Sequence, residues 1–284
     1  MGEAGVGFKA RLCACFGLER SSIYKPRVQA ALHNELSEQI RVVLLIHPYY
    51  GHRRVADELQ IGKNRARRVM RATGIPPPKR RKQYTKASNS SKPAPPNLLK
   101  EQQLVANYPH HIWAADFTYL WFQGRFYYLA TVIDHYSRLV VGWSLGTHHN
   151  AELITSALMD AVSHYRPPAI AHNDRGSEYL SRHYQTICDS LEITPSASAP
   201  GSPWQNSFQE SFYSNFKLEL GDISRLGDPS RLFEAIALQL HYYTNRRIHS
   251  TLHTNPAAYA ASFTEQKQQS TTEVGDKVMP KTGT

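Results

Sequence analysis

A chain of 284 residues with 41% hydrophobic residues has the composition of a soluble globular protein and the length for one sizeable core plus a smaller domain. No window reaches the ~18 apolar residues that a membrane span needs, and charges at Lys9 and Arg11 break the early Val6–Leu12 segment, so neither a span nor a secretory signal is expected. The net charge of +10 is concentrated: residues 59–100 hold twelve Lys or Arg and no acid, which leaves −2 for the rest. Such a block suits a phosphate-backbone partner.

In chain order, Leu36–His47 has apolar residues at i, i+3/i+4, i+7 spacing, which predicts a helix ending near Pro48. A second short helix follows over Tyr50–Leu59, then a turn at Gln60–Gly62 and a third helix from Lys63 to about Ala72, stopped by Gly74. Two short helices around a Gly-containing turn make a helix-turn-helix candidate, with Lys63, Arg67 and Arg71 on one face of the third helix and Val69 and Met70 pointing elsewhere. Residues 1–75 are therefore read as a helical DNA-binding domain. Residues 76–107 read as a basic Pro/Ser-rich linker that includes Lys79, Arg80, Arg81 and Lys82.

Beyond the linker, strands are expected at 111–120, 125–133 and 138–145, a helix at 151–165, a strand at 169–173, a helix at 178–190 and a short strand near 192–194. A mobile small-residue loop is expected at 196–203 before a helix that opens around Glu210, and a last helix at 231–245. This order predicts an α/β fold with a ribonuclease H-like mixed five-stranded sheet flanked by helices over residues 108–262, preceded by the small all-α domain. Residues 263–284 are expected to be a disordered tail.

Three acids stand where chemistry would need them. Asp116 is a lone carboxylate in the alternating run Trp113–Tyr119; Asp174 follows the apolar Ala169–Ala171 at a strand end turning at Gly176; Glu210 lies near the start of a helix. Fifty-seven residues separate the first pair and 35 the second. Hard carboxylate oxygens suit Mg²⁺ or Mn²⁺, and paired divalent ions are what a five-coordinate phosphorus transition state calls for. Of the neighbouring acids, Glu178 reads as a helix cap and Asp134 as a bystander. On the glutamate helix, Glu210, Tyr213, Ser214 and Lys217 share one side, while Phe208, Phe212 and Phe216 would pack on the sheet. Lys217 is either a phosphate contact or a solvated lysine. Arg246, Arg247 and His249 form a basic cluster in which Arg246 and Arg247 read as DNA contacts, against a fold-stabilising role for Asn245 and His249, and His172 either orients a phosphate or makes a structural hydrogen bond. Three cysteines form no four-ligand zinc pattern and read as reduced thiols.

The 35-residue interval is a D-35-E signature, and with it the sequence resembles retroviral-type integrases and bacterial insertion-sequence DDE transposases of the OrfB type. Supporting motifs recur in order: Tyr50-Gly51-His-Arg-Arg54-Val55, Asp134-His-Tyr-Ser137-Arg138 through Gly142, Pro200 through Asn206, and Tyr243-Thr-Asn245-Arg-Arg247-Ile-His249 followed by Leu252 and Pro256. Gln205 departs from the pattern, which commonly has an acid there. The resemblance implies metal-dependent DNA cleavage and strand transfer with Asp116, Asp174 and Glu210 as catalytic metal ligands, Mg²⁺ (Mn²⁺ substituting) as cofactor, and two ions per site. It further implies double-stranded DNA as partner, a homo-oligomer on DNA, a cytoplasmic location at the nucleoid, and fusion to or partnership with an upstream-frame transposase protein. A catalytically silent DNA-binding regulator and a ribonuclease H-like nuclease without joining activity are the competing readings; the intact triad argues against the first, the tethered helix-turn-helix against the second.

Overall fold

The computed structural model describes residues 13, 15–17, 26–76, 94–198 and 207–263. The backbone divides into two compact units, Met1–Lys79 and Arg80–Thr284.

In the first unit, α1 (Pro26–Ile46) precedes α2 (His52–Glu58) and α3 (Lys63–Ala72), the latter two joined by a four-residue turn. The core is small: Leu36, Ile40 and Val43 of α1 are buried, as are Val55 and Ala56 of α2 and Ala66, Val69 and Met70 of α3. The Tyr50–Val55 motif is a packing element, because Tyr50 is buried, stacks on His47 at 4.4 Å and carries the buried Arg54 guanidinium over its ring at 5.4 Å. Gly74 ends α3 as its sequence position predicts: at φ +69° it lets its own N–H reach Arg71 O while Ile75 N–H donates to Met70 O, closing a Schellman motif.

In the second unit, β1 (Ile112–Phe122), β2 (Arg125–Asp134) and β3 (Val140–Gly146) form an antiparallel meander. Two crossovers then add β4 (Ile170–Asn173) and β5 (Thr194–Ala197) parallel to β1, by way of α5 (Ala151–His164) and α6 (Arg182–Ser190). The sheet order β3-β2-β1-β4-β5 is that of the ribonuclease H-like fold. Strand alternation fills both faces. Trp113, Ala115, Ala130 and Val132 point to α5 and α6. Leu120, Phe122, Leu129 and Ile133 point to α7 (Ser207–Leu220) and α8 (Pro229–Asn245), which supply Phe212, Phe216, Leu232 and Ile236. Asn150, Ser181 and Asp228 cap α5, α6 and α8 through side-chain oxygens. Residues 94–101, expected as linker, include a short helix, α4 (Leu98–Glu101), tied to β5 by Leu98 N–H to Ser196 Oγ at 3.1 Å and Ala197 N–H to Pro96 O at 3.2 Å.

Three expectations are corrected. Phe208 does not pack on the sheet: it is 41% exposed, with the Arg138 guanidinium 3.3 Å from its ring centroid. At 3.6 residues per turn Phe208 and Phe216 lie about 80° apart around the helix, so only Phe212 and Phe216 face inward. The helix after Asp174 begins at Arg182 with Ser181 as its cap, so Glu178 is not a capping residue. Tyr213 is buried against the sheet instead of lining an open helix side with Glu210.

Candidate active site

Strand register sets the first two carboxylates side by side. Parallel pairing of Ile112 with Ile170 and Trp113 with Ala171, carried three residues further, brings Asp116 level with Asp174. The ladder does not run that far, because the buried Asn173 replaces it: its Oδ1 accepts from Ala115 N–H at 2.8 Å and its Nδ2 donates to Tyr184 Oη at 2.9 Å. The β4–β1 pairing ends at this bridge. Buried Tyr179 lies near both aspartates, whose negative charges, after burial itself, push its phenol well above the ordinary range.

Glu210 arrives on α7, and two buried polar side chains set that helix against β1. Gln209, fully buried, donates from Nε2 to Ala114 O at 2.7 Å. Tyr213 Oη donates to Asp116 O at 2.6 Å and meets Thr131 Oγ1 at 2.9 Å. Thr131 is the cross-strand partner of Asp116, so the Asp116 side chain shares the α7 face of the sheet. Glu210 follows Gln209 on this anchored stretch of α7 and is exposed.

Asp174 closes the turn after β4, accepting Gly176 N–H at Oδ1 (2.8 Å). Burial raises its pKa most; the Gly176 hydrogen bond opposes this, and the nearby Glu178 charge adds to it. Glu178 thus stands at the site itself, where its Oε1 lies 3.2 Å from His149 Nδ1. A Cβ at Gly176 would meet Glu178 Oε2 at 2.6 Å and Asp174 Oδ1 at 3.0 Å, so a side chain there would displace the Glu178 carboxylate. Arg175 is tethered through Nε to Ser198 O at 3.0 Å.

The donor set, hard carboxylate oxygens on two strand ends and a helix, fits Mg²⁺ or Mn²⁺ chemistry. Among the described residues no three His, Cys, Asp or Glu side chains are drawn together closely enough to cage an ion.

The remaining sequence-predicted residues divide. Lys63, Arg67 and Arg71 are exposed on α3 above a buried back of Ala66, Val69 and Met70. His52 beside them has its pKa lowered first by burial and then by Arg67, Arg53 and Lys63, which marks a strongly positive surface. Lys217 is half-buried, its Nζ 4.6 Å from the Tyr119 ring centroid, and burial lowers its pKa. Arg246 is exposed. The expectation for Arg247 is corrected: at 2% exposure its Nε donates to both Glu219 oxygens at 2.8 Å, so it is a structural ion pair and cannot reach DNA. His172 is likewise structural, held between Ser196 Oγ (2.9 Å) and Ser198 Oγ (3.1 Å). Asp134 accepts from Ser137 N–H and Oγ–H and from His110 N–H, and is fully buried. Lys79, Arg80, Arg81, Lys82 and Gln205 lie outside the described residues, as do most of the loop expected at 196–203 and the tail from 264. Asn173, Gln209, Thr131 and Tyr179 were missed in the sequence, since an amide, hydroxyl or phenol within an otherwise regular element gives no signal of its partner.

Two family models, both described as an integrase core domain, match residues 106–203 and 191–256. A 31 kDa protein of insertion element IS600 from Shigella sonnei is 31% identical over 268 residues, covering 89% of this chain and 98% of that protein. The transposase of insertion sequence IS904 from Lactococcus lactis is 30% identical over 241 residues, covering 80% of this chain and 94% of its own length. The InsF transposase of IS3A from Escherichia coli is 40% identical over 129 residues, covering 45% of this chain and 44% of its own. Among solved structures, the HTLV-2 integrase catalytic core domain in complex with magnesium aligns at TM-score 0.47 with 22% identity, covering 55% of this chain and 99% of that one.

Proposed function

The chain belongs to the insertion-sequence transposases with an integrase core, and from that premise we propose that Asp116, Asp174 and Glu210 are its catalytic carboxylates, acting with two Mg²⁺ ions on double-stranded DNA. The observation that carries this reading is the fixed register: Asn173 bridges β4 to β1 where the two aspartates draw level, and Gln209 and Tyr213 bond to β1 on either side of Glu210.

Asp116 and Asp174 would hold the ions, and Glu210 would ligate the second and accept the proton of the attacking oxygen. Bound there, paired divalent ions neutralise charge building on phosphorus and activate the attacking oxygen. Water opens the phosphodiester at the element end; the freed 3′-hydroxyl then attacks a target phosphodiester, and no covalent protein intermediate is required. The exposed Lys63, Arg67 and Arg71 of α3 hold element DNA in a helix-turn-helix manner, with Lys79, Arg80, Arg81 and Lys82 adding phosphate contacts. Lys217 and Arg246 are the phosphate contacts of the catalytic unit. An oligomer on DNA, with or without an upstream-frame partner, is part of this reading, as is a cytoplasmic location.

The test is nicking of a labelled duplex carrying the element's end, in Mg²⁺. Asp116→Asn, Asp174→Asn and Glu210→Gln should each cut the rate by at least about a hundredfold while leaving duplex binding intact, a loss in the range expected for metal-ligand and proton-transfer roles. Nicking that survives any one of them removes that residue from the set.

A further inference from the structure

The β1–β2 hairpin carries a band of aromatic rings that the chemistry above does not use. Register places Trp121 opposite Phe126 and Tyr119 opposite Tyr128, so these four side chains share one face, with Phe117 next along the strand. The rings are contiguous: Trp121 to Phe126 at 4.7 Å between centroids, Tyr119 to Phe126 at 5.5 Å, Phe126 to Tyr128 at 6.5 Å and Phe117 to Tyr128 at 6.3 Å. His149 ends the band, stacked on Phe117 at 5.5 Å. Toward the hairpin tip the band is uncovered, with Tyr119 45%, Trp121 56% and Phe126 44% exposed. Uncovered rings in contact on one sheet face mark an interaction surface.

What brackets the rings identifies the occupant. At the inner end His149 contacts Glu178, whose charge acts on Asp174. Midway stands the Lys217 ammonium over Tyr119, on the helix that carries Glu210. An apolar protein surface would match the rings but leave the Lys217 ammonium without an anionic partner. A polynucleotide strand matches rings with bases and the ammonium with a phosphate, and base–ring stacking is indifferent to sequence.

We propose that Trp121, Phe126 and Tyr119 form a stacking platform for unpaired nucleotides of the DNA strand that enters the carboxylate site. The inference rests on the transposase reading for its direction along the strand. The platform would hold the terminal bases apart once the duplex end opens, with Lys217 on the adjoining phosphate.

The test uses the full chain and duplexes ending either blunt or in a short unpaired 3′ overhang containing 2-aminopurine, whose fluorescence falls on stacking. Wild type should quench the probe and bind the overhang at least about fivefold tighter than the blunt end, the low end of base–aromatic stacking. Trp121→Ala and Phe126→Ala should each abolish most of the quench and of that ratio, and Trp121→Tyr should restore both. Unchanged quench and ratio in the alanine variants overturn the platform. So does sedimentation showing that Trp121→Ala dissolves a wild-type dimer while the ratio stays the same, which would make the face a contact between copies. Glu210→Gln should keep the quench while losing nicking. A wild type that quenches but never nicks would refute the catalytic reading and leave the platform standing.

Discussion

Gly142 lies in β3 where α5 crosses it, and an added Cβ would fall against the Ala157 carbonyl oxygen, 2.5 Å from Ala161 N and 2.7 Å from Ala161 Cβ. Two of those neighbours are backbone atoms and cannot turn aside, so Gly142→Ala should cost about 1–3 kcal/mol or more and lower the thermal midpoint by several degrees. A midpoint within a degree of wild type would show that α5 shifts freely. The buried histidines make a pH prediction. Burial lowers His135 to about 3, with Arg138 and His172 adding to it, and lowers His172 to about 4, both from 6.5. Because the folded values are depressed, on acidification the unfolded chain takes up these protons first. The stability involved is complete above about pH 6.5 and is lost as pH falls toward the folded values, at up to ~1.4 kcal/mol per pH unit for each residue. The urea midpoint should drop between pH 6.5 and 4, and drop less steeply in His172→Gln; an identical slope would assign the acid sensitivity to other groups.

At the scale of elements, the strands and helices were legible because alternation and helical periodicity reflect which face is buried; the three candidate carboxylates were singled out by place, Asp116 inside a strand, Asp174 at a strand end and Glu210 near a helix start. The ties that position them were not. Gln209 on a mixed helix reads as a surface amide, and Asn173 as a polar strand end; only the crossing of α7 over β1 and the end of the β4–β1 pairing make them structural. Arg247 misled for the same reason, since its partner Glu219 lies 28 residues earlier on another helix. If α7 is set by these ties, Tyr213→Phe, which removes hydrogen bonds worth about 0.5–1.5 kcal/mol, should lower the joining rate tenfold or more through a freer Glu210. Gln209→Leu removes the buried amide's bonds to Ala114 O and Thr131 and should be worse in both stability and rate. A Tyr213→Phe enzyme that joins at the wild-type rate would separate the tie from catalysis.

For the whole molecule, charge is divided along the chain: the cations concentrate in and just after the helical unit, and Asp116, Asp174 and Glu210 all lie in the second unit. DNA affinity should therefore depend steeply on salt through the first unit. Arg67→Ala should weaken binding evenly across sequences and reduce the slope of log K against log salt by about one, as expected for loss of one phosphate contact. A slope left unchanged would place Arg67 off the backbone. The central claim is that this fold positions Asp116, Asp174 and Glu210 to cut and join DNA. It is tested most directly by joining of a labelled element end into plasmid by the purified full chain with Mg²⁺, against Glu210→Gln. Joined product from the wild type and none from the variant is the predicted result; joined product from both would contradict it.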